Sequence, residues 1–318
     1  MFFSDLFSLN ISGHKDIDFV DIPLNTDVAL YIDPTLLAAG TDQFSISAWS
    51  AVKSFFHLLF ECCRLEDHVN INNLLTYVGE ANETHLGLSK GIPSGKGASK
   101  KILLPILRDM MRRGFFKDGL LLDPHDLLVL APNFSEDRMS DVIFNIIRNL
   151  ACMFTIEQCV KHRILLDPEP RYSKPHWEVG RKNWIIGEWP VPYDQCNRPI
   201  VLIPKRVVRS SYSFGVSAYL QHFILEYRQE KHFALKTSLC REAKDKNGNH
   251  TIKQPYKKDV RQAEVVGRNV KDYVSEVTRE CPSLITAFRN EVERQRGKAD
   301  LTMSNIELDA TVYRTIAS

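Results

Sequence analysis

Asp137, Asp141, Asn145 and Arg148 recur at spacings of four, four and three residues. On a helix that spacing lines two carboxylates, an amide and a guanidinium along one stripe. Carboxylates in such a row suit a hard cation such as Mg²⁺. A guanidinium beside them suits a phosphate or another carboxylate. The stripe is set among Val142, Ile143, Phe144, Ile146, Ile147, Leu150, Met153, Phe154 and Ile156. That pattern predicts a helix buried on most sides. Buried polar groups need partners. The stripe is therefore either an internal network pinning the helix or one wall of a ligand cleft, and the sequence leaves both open.

A natural opposite wall is the loop Glu83–Gly97, whose glycines at 87, 91, 95 and 97 and lysines at 90, 96, 100 and 101 would let backbone and positive charge approach an anion. The same composition also suits an ordinary flexible connection. It is not a Walker A loop, because the lysine does not follow the second glycine at the required spacing. Asp33 closes the apolar run Val28–Ile32, at the strand end where open α/β sheets hold ligands. The candidate site is then Asp33, Glu83, Lys90, Asp137, Asp141, Asn145 and Arg148. Asp33, Glu83, Asp137 and Asp141 are the residues able to hold Mg²⁺. A PD-(D/E)xK pattern is missing at Lys205, since Ile203 stands where the acid belongs. His85 and His125 read as lone structural or exposed histidines.

These residues need a scaffold. The run Val28–Ile32 ends at Asp33-Pro34 and predicts a short strand, and Leu127–Leu130, closed by Pro132, predicts a second. Ser45 is expected to cap a helix reaching about Arg64, and a short helix should cover Asn72–Tyr77. Ser99 should open a helix that stops at Gly114, and the longest helix should run from about Ser135 to Arg163. Asn183–Ile186 and Pro199–Pro204 read as an antiparallel strand pair. Helices are expected at about Val216–Gln229 and Val270–Arg296, the latter broken at Pro282. The result is an α/β fold, a mixed sheet with flanking helices and a helix-rich C-terminal part. Residues 1–165 form an acidic part with the site, 166–297 a basic hairpin and helical part, and 298–318 a partner-docking or flexible tail.

Composition constrains the surroundings. The 318 residues are 44 % hydrophobic and 25 % charged, an ordinary globular profile. The start, Met1-Phe2-Phe3-Ser4-Asp5, lacks a basic lead, and no apolar run is long enough to span a bilayer uninterrupted. The seven cysteines lack zinc spacings and fit reduced thiols in a cytoplasm. The charge is uneven. Residues 1–160 carry 13 Lys+Arg against 20 Asp+Glu, whereas residues 161–296 carry 26 against 16. The second stretch, at +10, could attract a polyanion such as nucleic acid, or could simply be solvated helix faces.

Several segments resemble an uncharacterised bacterial protein family associated with mobile elements and antiphage defence gene clusters. They are Val28–Pro34, the stretch from Glu83 to Gly91, Asp137–Arg148 with Thr155, Gln158 and Cys159, and Val201–Val208. The resemblance implies a defence context and no particular mechanism. Two functions follow as expectations. One is a metal-dependent nuclease or other phosphoester-cleaving effector acting on nucleic acid. The other is a non-catalytic subunit of a defence complex, docking protein partners or nucleic acid. Neither requires a membrane.

Overall fold

Side-chain caps open the helices that carry the polar stripe and its surroundings. The computed structural model describes residues 1–87, 98–212, 214–244, 250–295 and 301–314. In chain order the elements begin with α1 (Phe3–Leu6), β1 (Tyr31–Ile32), α2 (Pro34–Ala39), α3 (Gln43–Arg64), α4 (His68–Leu74), α5 (Ala98–Arg112) and α6 (Pro124–Leu130). They continue with α7 (Glu136–Lys161), β2 (Tyr172–Glu178), β3 (Asn183–Trp189), β4 (Val208–Arg209), α8 (Val216–Tyr219) and α9 (Leu225–Ala234). The C-terminal part holds β5 (Arg241–Lys244), β6 (His250–Lys253), α10 (Lys257–Glu264), α11 (Val270–Glu280), α12 (Ser283–Gln295) and α13 (Asn305–Arg314). The chain is a helix-rich mixed α/β protein. Among the described residues its strands form three two-stranded antiparallel sheets, β1 with β4, β2 with β3 and β5 with β6.

The helix α7 matches its sequence pattern closely. The Ser135 hydroxyl accepts from Arg138 N, Glu136 and Asp137 sit in the positive first turn, and Lys161 sits in the last. It is long and apolar enough to cross a membrane by composition alone, yet most of it is buried inside the protein, packed on α3, β1 and β2. Pro282 separates α11 from α12, as expected.

Four expectations need correction. Leu127–Leu130 is helical, because Asp123 caps α6, Pro124 occupies its first turn and Asp126 completes a capping box. An apolar run this short cannot tell helix from strand by period alone. The helix α3 starts at Gln43, capped by Asp42 rather than Ser45, and Ser45 Oγ instead donates to Asp42 Oδ2. Asn183–Ile186 belongs to β3, whose partner is β2, with Pro175 opposite Ile186. The turn between them is fixed by the Glu178 carboxylate, which accepts from Gly180 N and Arg181 N.

The stretch Ile200–Ile203 is fully buried but is no strand. Its backbone groups are satisfied by scattered partners. Ile200 N donates to Pro192 O, Val201 N to Glu83 O and Leu202 N to Thr155 Oγ1, and Ile203 O accepts from Val20 N. The stretch thereby ties the stripe helix and the Glu83 segment to the start of the chain.

One apolar core runs from Phe3 to Val312. The segment read as a tail contributes to it, since α13 buries Leu308 and Val312. Asp309 Oδ1 on α13 accepts from the backbone N–H of buried His14 and lies 2.6 Å from its Nδ1. Asp21 N donates to the other ring nitrogen, Nε2, which makes Nδ1 the donor to Asp309.

Candidate active site

The residues between Ala81 and Gly87 are the structural link between the acids of the stripe and the rest of the site. Their backbone is threaded between α7 and two extended stretches. Val28 N donates to His85 O and Gly87 N donates to Val28 O, both at 2.9 Å, while Glu83 O accepts from Val201 N at 2.8 Å. Gly87 has φ +132°, and a Cβ there would lie 2.8 Å from Asp137 Oδ1 and 3.8 Å from Asp27 Oδ2. Only glycine lets the chain pass this close to the two carboxylates. The glycine- and lysine-rich stretch follows in the sequence. Residues 88–97, Lys90 among them, lie outside the described residues.

The stripe divides into two functional halves. In the lower half, Asn145 Nδ2 donates to Gly79 O and Asp141 O, at 2.6 and 2.7 Å, and Asn145 Oδ1 accepts from Arg148 Nη2 at 2.6 Å. Arg148 Nε reaches Glu83 Oε1 at 3.3 Å, Nη1 donates to Pro175 O, and the guanidinium lies over the Phe144 ring. Tyr172 OH donates to the same Glu83 oxygen. Arg148, Asn145 and Glu83 are thus committed to an internal network that joins α7 to the 81–87 segment and to β2. Arg148 pairs with Glu83 and Asn145 rather than with Asp141.

The upper half has no such partners. Asp141 accepts one hydrogen bond, from Ala81 N at 3.3 Å. Burial, and next the repulsion of Asp137, push its carboxyl well above the usual range. Asp137 takes no hydrogen bond or ion pair from the described residues, and burial raises its carboxyl against a partial pull from Arg138. Asp33, the third acid, caps α2: its Oδ1 accepts from Thr35 N at 2.7 Å, and its buried Oδ2 has no hydrogen-bond partner among the described residues. Burial raises its carboxyl as well. Asp33, Asp137 and Asp141, together with Glu136, all act on one buried phenol, Tyr212, whose hydroxyl donates to Ile32 O at 2.6 Å. After burial, these four carboxyls push the Tyr212 hydroxyl further up.

The structure therefore puts Glu83 with the Arg148 network and leaves Asp33, Asp137 and Asp141 outside it. Among the described residues no group of three or more His, Cys, Asp or Glu side chains is arranged to hold a metal ion. A cation at the stripe would rest on the pair Asp137 and Asp141, completed by water or substrate oxygens, as Mg²⁺ sites commonly are.

Asp137, the outer acid of the pair, borders a cleft of about 290 Å³, lined also by Tyr31, Phe134, Glu136, Gly215 and Lys271 among others. Lys271 Nζ donates to Phe134 O at 2.6 Å, and burial brings its ammonium down to about 8. Lys271 and Tyr212 were not legible as site residues. Each lies far along the chain from the stripe, in no motif, and only folding brings them to Asp137. His125, read as a lone histidine, is buried between Asp123 Oδ1 and Thr35 Oγ1, 2.5 and 2.9 Å from its two ring nitrogens.

A family model described as a domain of unknown function (DUF8370) matches residues 8–214 of the chain. The matched stretch contains every one of these residues except Gly215 and Lys271. No curated protein and no solved structure matches the chain.

Proposed function

We propose, for a chain that belongs to the DUF8370 family, a divalent-cation-dependent nuclease or related phosphoester-cleaving activity in a cytoplasmic antiphage defence system. The observation that carries this reading is the pair Asp137 and Asp141. They stand one helical turn apart, Asp137 on the wall of the cleft and Asp141 behind it, and among the described residues a single backbone donor, Ala81 N at 3.3 Å from Asp141, serves the two. Two desolvated carboxylates one helical turn apart cost stability without a cation, and a bound Mg²⁺ or Mn²⁺ would offset that cost. Such an ion would polarise a phosphoryl oxygen and lower the pKa of a bound water to supply the nucleophile. Lys271 faces the same cleft and is suited to steady the phosphate charge. Glu83, Asn145 and Arg148 serve in this reading as positioning residues that hold the 81–87 segment against α7. The +10 stretch at residues 161–296 would track the nucleic-acid backbone.

A second reading, a non-catalytic subunit of a defence complex that binds protein partners or nucleic acid, draws on the other half of the stripe. In the Asn145–Arg148–Glu83–Tyr172 network these side chains bond one another within the protein. Cleavage assays separate the two. Single-stranded DNA, double-stranded DNA and RNA are incubated with Mg²⁺ or Mn²⁺, using the wild-type chain and Asp137→Asn. Metal-dependent cleavage lost in the variant supports the enzyme. Binding without cleavage, equal in both proteins, supports the subunit.

A further inference from the structure

A second cavity lies against the 81–87 segment, and neither acid of the pair lines it. It has a volume of about 210 Å³ and is lined by Asn82, Glu83, His85, Tyr172, Lys174 and Arg198. Two of its side chains hold buried nitrogens that lack any hydrogen-bond partner among the described residues, His85 Nδ1 and Arg198 Nη1. Buried polar atoms of this kind are few in folded proteins, and leaving one unpaired costs about 1–3 kcal/mol. His85 is 2 % exposed and is held in the left-handed region at φ +52°. Arg198 is firmly anchored by its remaining nitrogens: Nε donates to Asp194 Oδ2 at 2.6 Å and Nη2 to Leu24 O at 2.7 Å. A guanidinium nitrogen can only donate. The missing partner of Arg198 Nη1 is therefore an acceptor.

The other groups facing the cavity fix the acceptor's charge. Lys174 brings an ammonium from β2 and Asn82 brings an amide. The acids in reach are already engaged, Asp194 by Arg198 and Glu83 by Arg148 and Tyr172. The imidazole of His85 is neutral at pH 7, pushed down to about 4 by burial and by Arg198, so one of its ring nitrogens carries a proton to donate. The space is too small for a nucleotide held whole but suits a tetrahedral oxyanion with a few attached atoms.

We propose that this cavity binds a phosphate-type oxyanion, whose oxygens accept from Arg198 Nη1, from Lys174 Nζ and from a ring N–H of His85. The anion is either free phosphate or the terminal phosphate of a larger molecule such as a nucleic-acid end. This inference uses none of the proposed cation ligands and stands or falls separately from the metal reading.

The test is calorimetry in EDTA with three probes: inorganic phosphate, a 5′-phosphorylated oligonucleotide and the same oligonucleotide with a 5′-hydroxyl. Wild-type protein, Lys174→Ala and His85→Gly are compared. Lys174 is exposed, so its loss should leave the fold intact, and glycine adopts the left-handed backbone at position 85 while removing the ring donor. Each substitution should weaken phosphate binding by about tenfold or more, as expected for losing a charge-assisted hydrogen bond or a buried donor. A 5′-phosphate that strengthens oligonucleotide binding, with the gain lost in Lys174→Ala, assigns the anion to a nucleic-acid end. Binding of inorganic phosphate without that gain assigns it to the free ion. No phosphate binding to the wild type, or binding that both variants retain in full, overturns the proposal.

Discussion

Replacing Asp141 by asparagine should make the metal-free protein more stable, although the residue is largely desolvated on a core helix. The carboxylate accepts one hydrogen bond, from Ala81 N at 3.3 Å, and asparagine's Oδ1 can accept it equally well. What the substitution removes is repulsion from Asp137, four residues earlier on α7. Side chains at that spacing lie about 6 Å apart. With an effective dielectric of 20, two like charges there repel by roughly 3 kcal/mol. Partial exposure of both groups to solvent brings the expected gain down to about 1–2 kcal/mol. The pH dependence has a definite sign. Folding raises the Asp141 carboxyl, so its cost is absent below the unfolded pKa and grows as pH rises through the folded value. Urea unfolding in EDTA at pH 5 and pH 8 reads this directly. Asp141→Asn should gain more over wild type at pH 8 than at pH 5. Added Mn²⁺ should then stabilise only the wild type and narrow or reverse the difference. A variant clearly less stable than wild type at pH 8 would place Asp141 in the scaffold and refute the reasoning.

Further outcomes follow from the same geometry. Arg148→Ala leaves the Glu83 carboxylate buried without its cation and should cost about 3–5 kcal/mol in urea unfolding. Gly87→Ala forces a Cβ to within 2.8 Å of Asp137 Oδ1 at φ +132°, which should cost about 1–3 kcal/mol and weaken any cation binding at Asp137. Fluorescence anisotropy should show DNA or RNA affinity falling by about tenfold or more between 50 and 200 mM salt, through counterion release at residues 161–296. Affinity that holds constant across that range would exclude an electrostatic surface there.

The helix α7 was legible because every local signal agreed: a serine cap, acids in the first turn, a lysine in the last and a dense apolar surround. Its polar stripe was legible as a tension between burial and charge, but which partners resolve that tension was not. Arg148 finds Glu83 across 65 residues, and Asn145 finds the carbonyl of Gly79 across 66. Leu127–Leu130 was misread because four apolar residues carry too little period. The signal that decides for helix was the Asp123-Pro124 start with Asp126 behind it. Asp126 itself is fully buried and pairs with Arg289, a contact no local pattern announces. Docking of α13 did have a local sign, since Ser304 and Glu307 form a reciprocal cap at its start. His85 was passed over because an isolated histidine says nothing until the cavity beside it is known. The Ile200–Ile203 stretch looked like a strand because it is as apolar as one. Its hydrogen bonds go instead to Pro192, Glu83 and Thr155.

The central claim is that Asp137 and Asp141 together hold a divalent cation, and calorimetric titration of the wild-type chain with Mn²⁺ tests it most directly, beside Asp137→Asn, Asp141→Asn and a Glu61→Gln surface control. The account predicts saturable binding of the metal by wild type and the control, lost or weakened at least tenfold in both stripe variants. Equal binding by all four proteins, or none by the wild type, would contradict it.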